Sequence, residues 1–306
     1  MRLRPTEAIH LSAVAVLAAL TVLLRHRLAD PGRMLIFYAA LAGALLWIAA
    51  LARREGTLPA GLSVLIDFYP VALLPIVFNT LEPLITAARG GARDDLLIAA
   101  DRALFGVDVT VWLQPFARPA LDDLFFFFYA VNYFIGLALG VLLWIRNRDT
   151  ARRFIFTLMV IYYVSYAGYF VLPALGPRSA QASLYTVSLT ASPIARAVSA
   201  SIDALEKTKF DVFPSGHTMV AVAVLIVARK RAPDAFPYFL PFALGLILST
   251  VYCRYHYAID VIAGAALAVA AVPVGDWLYD RAVRREFAAP GLVPARGRPQ
   301  RPPLLP

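Results

Sequence analysis

The chain has 306 residues, of which 60% are hydrophobic and 16% charged, whereas soluble proteins carry about 25% charged residues. This composition indicates an integral membrane protein and argues against soluble enzymes, nucleic-acid-binding modules and disordered scaffolds. The net charge of +9 does not imply a nucleic-acid partner, because excess arginine in so apolar a chain is typical of cytoplasmic loops. The single cysteine, Cys253, excludes an intramolecular disulfide and a cysteine-rich metal site.

Eight apolar stretches approach the roughly 20 residues that a helix needs to cross a bilayer. They cover residues 8–24, 34–52, 62–80, 124–145, 154–172, 218–228, 237–251 and 258–278. The sixth and seventh are short, so we expect them to include flanking residues such as 213–217. The first could be read as a signal peptide, but basic residues follow it where a small-residue cleavage site should lie, which favours a transmembrane helix. The pattern predicts an all-α, polytopic membrane bundle of about eight transmembrane helices.

The distribution of lysine and arginine predicts the orientation, because cytoplasmic loops retain positive charge. Of the 29 such residues, one side would hold the following 17: Arg2, Arg4, Arg53, Arg54, Arg146, Arg148, Arg152, Arg153, Arg229, Lys230, Arg231, Arg281, Arg284, Arg285, Arg296, Arg298 and Arg301. Both termini are therefore expected in the cytoplasm of a bacterial cell, with the protein in its inner membrane. The basic loop 25–33 argues against this orientation.

Two long connections, 81–123 and 176–213, would then lie outside the cytoplasm, and we expect interfacial helices in both. In the second, Ser192 is a candidate N-cap followed by Pro193 at the first helical position. A lid lying on the membrane and a packed surface helix are equal interpretations of this helix. We expect three parts in the chain: N-terminal transmembrane helices (1–60), a membrane-embedded catalytic core (61–286) and a disordered, basic, proline-rich cytoplasmic tail (287–306).

The most informative run is Asp211-Val-Phe-Pro-Ser-Gly-His217-Thr, which opens a helix directly after a long polar loop. Pro214 suits the first helical turn because the N–H it lacks is not needed there. The N–H groups of Ser215, Gly216 and His217 are then expected to be unsatisfied donors at the positive end of a helix, where an anion can bind. The run therefore predicts an anion cradle with a titratable imidazole beside it.

A second run, residues 249–260, spans the end of one helix and the start of the next. His256 and Asp260 are four residues apart, so on a helix the carboxylate could hold one imidazole nitrogen and leave the other free. An oriented imidazole beside a cationic Arg254 suits attack on phosphorus. A third element, Gly-Pro-Arg178, follows the fifth apolar stretch, and all three elements should meet on one membrane face.

These residues resemble those of a known family. Pro214-Ser-Gly-His217 and Tyr252-Cys-Arg-Tyr-His256-Tyr-Ala-Ile-Asp260 resemble the second and third signature motifs of the type 2 phosphatidic acid phosphatase superfamily. The Gly-Pro-Arg178 turn and the Arg-Tyr-His-Tyr-x-x-Asp pattern resemble the branch that contains fungal inositol phosphorylceramide synthase. The resemblance implies a phosphatase-type helical core.

The resemblance also implies roles for individual residues. His256 would be the nucleophile that forms a phosphohistidine, oriented by Asp260, and His217 would protonate the departing alcohol and later deprotonate the acceptor. The phosphate oxygens would be held by Arg178, Ser215 and Gly216, with Arg254 added as a candidate. No metal or other cofactor is needed, and the substrates would be a membrane phospholipid and a lipid or water acceptor. The oligomeric state is not predicted.

Two positions depart from the family pattern. Val171 stands where the phosphatases have a lysine, and Thr250 stands where they have an arginine. Arg254 could replace the missing arginine only if the helix breaks before His256, because residues two positions apart in a helix point about 200° away from each other. Lys207 and Lys209 could supply charge, although solvated loop lysines are the simpler interpretation. Fewer fixed cations suit a phosphodiester, with one negative charge, better than a phosphomonoester.

We therefore predict transfer of a phosphoinositol-like head group to a lipid hydroxyl, with hydrolysis of a lipid phosphate or polyprenyl diphosphate as the alternative. A transporter would want ionisable residues along a path across the bilayer, and a catalytically inactive scaffold would not need the two histidines. Asp67 is either a functional intramembrane carboxylate or a helix start at the interface. The aspartates at 94, 95, 101 and 108 are expected to form a solvated amphipathic face rather than a metal cluster.

Overall fold

A computed structural model describes residues 3–53, 59–190, 192–205 and 208–288. Within these ranges the chain forms α-helices and no strand, which confirms the predicted all-α class. The helices are α1 (Pro5–Leu23), α2 (Pro31–Ala52), α3 (Ala60–Phe78), α4 (Leu81–Arg89), α5 (Asp94–Phe105), α6 (Val109–Trp112), α7 (Pro119–Ala130), α8 (Asn132–Arg146), α9 (Arg148–Val171), α10 (Pro177–Ala180), α11 (Pro193–Leu205), α12 (Gly216–Arg231), α13 (Phe236–Tyr252) and α14 (Ala258–Ala288). The rest of the predicted tail, 289–306, lies outside the described residues.

The helices long and apolar enough to cross a membrane are α1, α2, α3, α9 and α14, and the bent pair α7 and α8 makes a sixth span if counted as one. The other two predicted stretches form the shorter helices α12 and α13. Helix α12 begins at Gly216, so it includes some of the flanking residues that the sequence led us to expect. The chain is an all-α membrane bundle.

The fourth apolar stretch is two helices rather than the one we predicted. The chain bends by 47° between α7 and α8, although neither helix contains an internal proline. The bend lets the two halves pack against different partners, since α7 lies against α11 and α13, whereas α8 lies against α9 and α12. Tyr129, in the last turn of α7, is thereby brought to the start of α12, where its ring lies 4.5 Å from that of His217.

Helix α9 is the centre of the bundle, with α1, α3, α8, α12 and α14 packed around it. One apolar core lies between α8, α9, α12, α13 and α14 and includes Leu139, Leu158 and Val224, all 2% exposed or less. A second core joins α1, α2, α3 and α4 to α9. Because α9 contributes to both cores, it fixes the N-terminal helices relative to the motif-bearing half of the chain.

The two long connections carry short helices, as predicted: α4, α5 and α6 lie in the first, and α10 and α11 in the second. Helix α11 begins at Pro193, and the Ser192 hydroxyl accepts hydrogen bonds from the N–H groups of Ile194 (3.0 Å) and Ala195 (3.3 Å). Ser192 is therefore the N-cap that the sequence indicated. Asp123 of α7 also accepts from Ala195 N–H (3.0 Å), which anchors the start of α11 to α7.

Asp67 lies in the second turn of α3, and its carboxylate is fully buried. It accepts hydrogen bonds from Arg148, from Arg152 (2.8 Å) and from the indole of Trp144 (2.9 Å), and Arg4 lies 3.7 Å away. Neither sequence interpretation of Asp67 describes this arrangement. The carboxylate is shared by groups from the start of α1, the start of α9 and the end of α8, so it joins three helix ends.

Candidate active site

Two buried histidines from distant parts of the chain face each other at one end of the bundle. His217 is the second residue of α12, and His256 lies between α13 and α14. Nδ1 of His217 is 3.2 Å from Nε2 of His256. The side chains are 9% and 2% exposed, respectively. The predicted convergence of the two histidines on one face is therefore observed.

Asp260 holds the other nitrogen of His256. Its Oδ2 atom lies 3.1 Å from His256 Nδ1 and also accepts the N–H of Tyr257 at 3.1 Å. His256 precedes α14 instead of sharing a helix face with Asp260, and the contact forms because Asp260, in the first turn, reaches back along the chain. With Nδ1–H donated to the carboxylate, Nε2 keeps its lone pair and points at His217. Burial, together with the neighbouring His217, lowers the pKa of His256 well below 6.5.

The segment before His256 is not helical. The sequence requires such a break if Arg254 is to lie on the same side as His256. Helix α13 ends at Tyr252, and Arg254 adopts the left-handed conformation, with φ at 65°, which side chains other than glycine rarely do. Its guanidinium stacks on Tyr185, 3.9 Å from the ring centroid, and donates to the carbonyl of Val187 at 2.9 Å. Arg254 and His256 consequently line the same cavity.

Arg178 is held beside this segment by its backbone. Its N–H donates to the carbonyl of Arg254 at 2.8 Å. Gly176 adopts φ of 84°, and a Cβ there would lie 2.8 Å from the carbonyl oxygen of Tyr255, so this turn requires glycine. The Arg178 guanidinium donates to both carboxylate oxygens of Asp203 (3.1 Å each) and to the Tyr255 hydroxyl (2.8 Å). The arginine predicted to hold phosphate therefore holds a carboxylate of α11.

The turn that opens α12 differs from the predicted cradle in one respect. The N–H of Ser215 is not unsatisfied, because it donates to the carbonyl of Asp260 at 3.1 Å. The Ser215 hydroxyl accepts the N–H of Thr218 at 3.3 Å, so Ser215 is the N-cap of α12. Gly216 packs closely against α9, since a Cβ there would lie 2.9 Å from the hydroxyl of Ser165. The expected anion cradle thus has at most two free N–H donors rather than three, because the Ser215 N–H instead joins the Ser215 turn to the segment of Asp260.

Two aspartates of α5 belong to the support of the site, although we expected a solvated face. Asp94 is 7% exposed and Asp101 2%. Asp94 accepts the N–H groups of Leu175 (2.9 Å) and Gly176 (2.8 Å) and the hydroxyl of Tyr257 (2.9 Å). The prediction of a solvated face was wrong for these two residues. The spacing of leucines and aspartates along α5 indicates an amphipathic helix, but it does not show that remote loops supply backbone N–H donors to the aspartates.

Asp101 caps α14 from outside that helix. It accepts the N–H groups of Ala258 (3.1 Å) and Ile259 (2.8 Å), which have no acceptor within the helix. Burial raises the pKa of Asp101. The other two aspartates are less buried: Asp95 pairs with Arg93 (3.3 Å), and Asp108 forms a two-bond pair with Arg102. The pairing with Arg102 lowers the pKa of Asp108.

Two cavities of different character flank the histidine pair, one lined by His256 and the other by His217. The first, of about 290 Å³, is lined by polar side chains, among them Arg178, Asp203, Lys209, Arg254 and His256. The second, of about 400 Å³, lies between α3 and α9 and is mostly apolar. Its lining includes Leu74, Phe78, Tyr166, Leu205, Gly216 and His217. Helix α11 stands at the boundary, since Asp203 lines the polar cavity and Leu205 the apolar one.

The two positions that depart from the family pattern supply no charge to the site. Val171 is 65% exposed at the end of α9, and Thr250 is buried, with its hydroxyl on the carbonyl of Ile247 (2.7 Å). Lys209 lines the polar cavity, and Lys207 lies outside the described residues. The described residues contain no group of three or more His, Cys, Asp or Glu side chains arranged to hold a metal ion.

Comparison with known proteins identifies the family. Residues 95–274, more than half of the chain, match the family model of the PAP2 superfamily. The chain belongs to the PAP2 superfamily. A PA-phosphatase related-family protein of Dictyostelium discoideum is 30% identical over 122 residues, which are 39% of this chain and 22% of that protein. The chain thus matches about a fifth of the length of this curated relative, and no solved structure matches it.

The PAP2 match contains every residue that the motifs singled out, from Arg178 to Asp260. It also contains Asp101, whereas Asp94 lies just before its first residue. The match excludes α1, α2 and α3, where the sequence has no signature motif. Membership in the PAP2 superfamily supports a phosphatase-type membrane enzyme. The family match does not select one lipid substrate or one acceptor.

Proposed function

We propose that this PAP2 protein cleaves a lipid phosphodiester through a phosphohistidine on His256 and transfers the phospho-alcohol head group, phosphoinositol-like, to a lipid hydroxyl. It would then belong to the branch that resembles inositol phosphorylceramide synthase. The observation that carries this proposal is that the two histidines line unlike cavities, His256 the polar one and His217 the apolar one. The catalytic residues would be His256, His217 and Asp260. Arg178 and Arg254 would bind the phosphate.

The cavities suit the two parts of a phosphodiester lipid. The group that stays on the enzyme after the first step is the head group, and the polar cavity beside His256 offers it arginine, lysine and carboxylate side chains. The group that leaves is a lipid alcohol, and the apolar cavity beside His217 extends between the membrane-spanning helices α3 and α9. A phosphatase acting on a monoester retains only phosphate on the nucleophile, for which a separate head-group cavity is unnecessary.

The proposed chemistry gives each histidine one task. His256 Nε2 attacks phosphorus as the bond from phosphorus to the lipid oxygen breaks, and His217 gives that oxygen its proton. A lipid hydroxyl then enters the apolar side, loses its proton to His217 and attacks the phosphohistidine, which restores His256. Arg178, Arg254 and the Gly216 N–H would hold the non-bridging oxygens, and Ser215 would act through its hydroxyl. Phosphoryl transfer depends mainly on such positioning and charge stabilisation.

The charge of the site is consistent with a diester. Val171 and Thr250 supply no cation where the phosphatases of the superfamily have lysine and arginine, and Asp203 and Asp211 add negative charge to the polar cavity. A diester brings one negative charge and a monoester close to two at neutral pH. The balance of charge favours the diester.

Hydrolysis is the second candidate, with a lipid phosphate or polyprenyl diphosphate as substrate and water as acceptor. One observation favours it: the Arg178 and Asp203 side chains at the mouth of the polar cavity are 39% and 46% exposed, so water reaches this side of the site. Water arriving there would intercept the same phosphohistidine.

The proposed setting follows from the charge distribution. We place both termini and the arginine-rich helix ends in the cytoplasm and the histidine pair on the extracytoplasmic side of a bacterial inner membrane. In this arrangement the core 61–286 carries the reaction, and the helices before residue 60 and the tail from 287 lie outside it. The partners are membrane lipids and, in the alternative, water; a nucleic acid has no role.

A mass-spectrometric assay of the full chain purified in detergent tests the proposal. Phosphatidylinositol with ceramide or diacylglycerol is offered in one reaction and phosphatidic acid alone in another. His256→Ala is the inactive variant, and His26→Ala, which changes an exposed histidine of a connecting segment, is the matched control. A transferred head group that requires His256 supports the transferase, whereas free phosphate from phosphatidic acid without transfer supports the phosphatase. If neither product depends on His256, the assignment of the site fails.

A further inference from the structure

Asp94 makes contacts that no motif of the site predicts. It lies at the first position of α5, outside the motif-bearing segments, and it is 7% exposed. Oδ1 accepts both the Gly176 N–H (2.8 Å) and the Tyr257 hydroxyl (2.9 Å), while Oδ2 accepts the Leu175 N–H (2.9 Å). Three donors from two remote segments therefore meet on one buried carboxylate.

These bonds connect the turn of residues 176–178 to the segment that carries His256. On one side, Gly176 is two residues before Arg178, so a shift of this turn moves the guanidinium. On the other side, Tyr257 follows His256 directly, and its N–H donates to Asp260 Oδ2, the atom that also holds His256 Nδ1. Asp94 thus links the segments of Arg178 and His256, which would both have to contact the same phosphate.

We propose that Asp94 is a positioning residue that couples the placement of Arg178 to the placement of His256. This inference rests on the proposed function, because it takes those two side chains as the ones that bind and attack the phosphate. Neither the family match nor the sequence motifs assign Asp94 a role. Both of its carboxylate oxygens accept hydrogen bonds from these donors, and Asp94 lines neither of the two cavities, so it acts through the donors and not on the substrate.

Three donors meet at this position, so it needs the two acceptor oxygens of a carboxylate. An asparagine offers one oxygen for three donors and adds two N–H groups that would face the Leu175 or Gly176 N–H. Hydrogen bonds to a charged group are also stronger than those to a neutral one. Removing one donor is milder, and Tyr257→Phe does this with no change of shape beyond one hydroxyl.

The test compares Asp94→Asn, Tyr257→Phe, the double variant and Asp95→Asn in the purified full chain. Asp95 is the adjacent residue of the same helix and pairs only with the exposed Arg93 among the described residues, so it controls for charge loss on α5. The readouts are kcat and KM for phosphatidylinositol cleavage, the affinity for inorganic vanadate as a phosphate mimic, and thermal unfolding.

We expect Asp94→Asn to lower kcat by about tenfold or more and to weaken vanadate binding, since a lost hydrogen bond to a charged group has an effect of this size. Tyr257→Phe should lower kcat by a smaller factor, and the double variant should be no worse than Asp94→Asn, because both changes break the same link. Asp95→Asn should match the unaltered protein. If Asp94→Asn does not fold, Tyr257→Phe carries the test.

The proposal is overturned if Asp94→Asn, or Tyr257→Phe where only that variant folds, keeps both kcat and vanadate affinity. It is also overturned if the two single effects multiply in the double variant. The proposed function fails differently: the unaltered protein would show no cleavage dependent on His256, yet vanadate affinity would still report whether Asp94 and Tyr257 act together on the anion site.

Discussion

Arg178 and Asp203 form a two-bond ion pair across the mouth of the polar cavity, with both N···O distances at 3.1 Å. The carboxylate occupies the N–H edge of the guanidinium, which is the edge that an arginine offers to a phosphate. Because Asp203 lies on α11, the same pair fastens this helix over the site. A phosphate that binds this edge of Arg178 displaces Asp203, and α11 is thereby released from one of its contacts.

Replacing Asp203 with asparagine removes the internal competitor. We expect Asp203→Asn to strengthen the binding of inorganic vanadate about two- to fivefold, because an exposed ion pair contributes at most about 1 kcal/mol. Isothermal titration of the purified protein measures this affinity. Arg178→Ala should abolish the gain, and weaker binding by Asp203→Asn would instead make the carboxylate part of the ligand site.

The pH dependence of the reaction should reflect the burial of His256. Burial and the neighbouring His217 lower the pKa of His256 well below 6.5, so the imidazole stays neutral, and nucleophilic, at pH values where a free histidine is already protonated. As pH falls, activity should therefore persist through the range in which a free histidine becomes protonated, and decline only at the lower pH where His256 takes up its proton. The decline of kcat/KM on the acidic side of its pH profile reports the pKa of this group in the free enzyme. A limb centred above about pH 6.5 would contradict the assignment of His256.

Gly264 lies where α14 crosses the turn that carries Ser215. A Cβ at this position would be 2.6 Å from the carbonyl oxygen of Ser215, and a backbone atom cannot move aside as a flexible side chain can. We expect Gly264→Ala to lower stability by about 1–3 kcal/mol and to reduce kcat, because the displaced turn leads directly into His217. Denaturation in detergent and the lipid assay measure the two effects.

Gly43→Ala is the matched control for this change. Gly43 is also inside a membrane-spanning helix, and among the described residues no heavy atom outside the nearby backbone of that helix lies within 4 Å of the place that a Cβ would take there. This variant should leave activity unchanged. Equal activity in the Gly264 and Gly43 variants would show that the approach of α14 to the turn is not needed for the reaction.

The ion-pair cluster around Asp67 should support the fold rather than the chemistry. Asp67→Asn leaves Arg4, Arg148 and Arg152 without their shared carboxylate, and their side chains are 22%, 33% and 24% exposed. We expect a loss of about 1–3 kcal/mol, below the cost of breaking a fully buried pair because water screens these arginines. Thermal unfolding measures it.

Asp234→Asn is the control for Asp67, because Asp234 is 66% exposed and pairs with Arg146 at the surface. Its loss should change stability by less than about 1 kcal/mol. Asp67→Asn should keep the kcat of the folded protein, and a lost kcat with unaltered unfolding would assign Asp67 to the reaction after all.

The sequence predicts well what local patterns encode. Hydropathy located the apolar helices, although it joined α7 and α8 into one, Ser192 and Pro193 marked the start of α11, and the break required before His256 is present as a left-handed Arg254. The convergence of His217 and His256 followed from counting membrane crossings, which does not need the coordinates of either loop.

The sequence could not predict contacts that depend on which loop meets which helix. Asp94 and Asp101 share an amphipathic helix with leucines, and nothing nearby in sequence shows that remote N–H groups approach them. The bend after Ala130 has no proline to announce it, and the partner of Arg178 lies on a helix 25 residues away. Such pairings depend on tertiary packing, which neither the spacing of hydrophobic residues nor a short sequence motif predicts.

Backbone atoms join the segments of the site directly: the Ser215 N–H to the Asp260 carbonyl, and the Arg178 N–H to the Arg254 carbonyl. These two bonds do not depend on side-chain identity, so the residues that line the cavities can change while the histidines keep their spacing. A library restricted to cavity positions such as Leu205 and Lys209 could therefore redirect the choice of lipid without rebuilding the reaction centre.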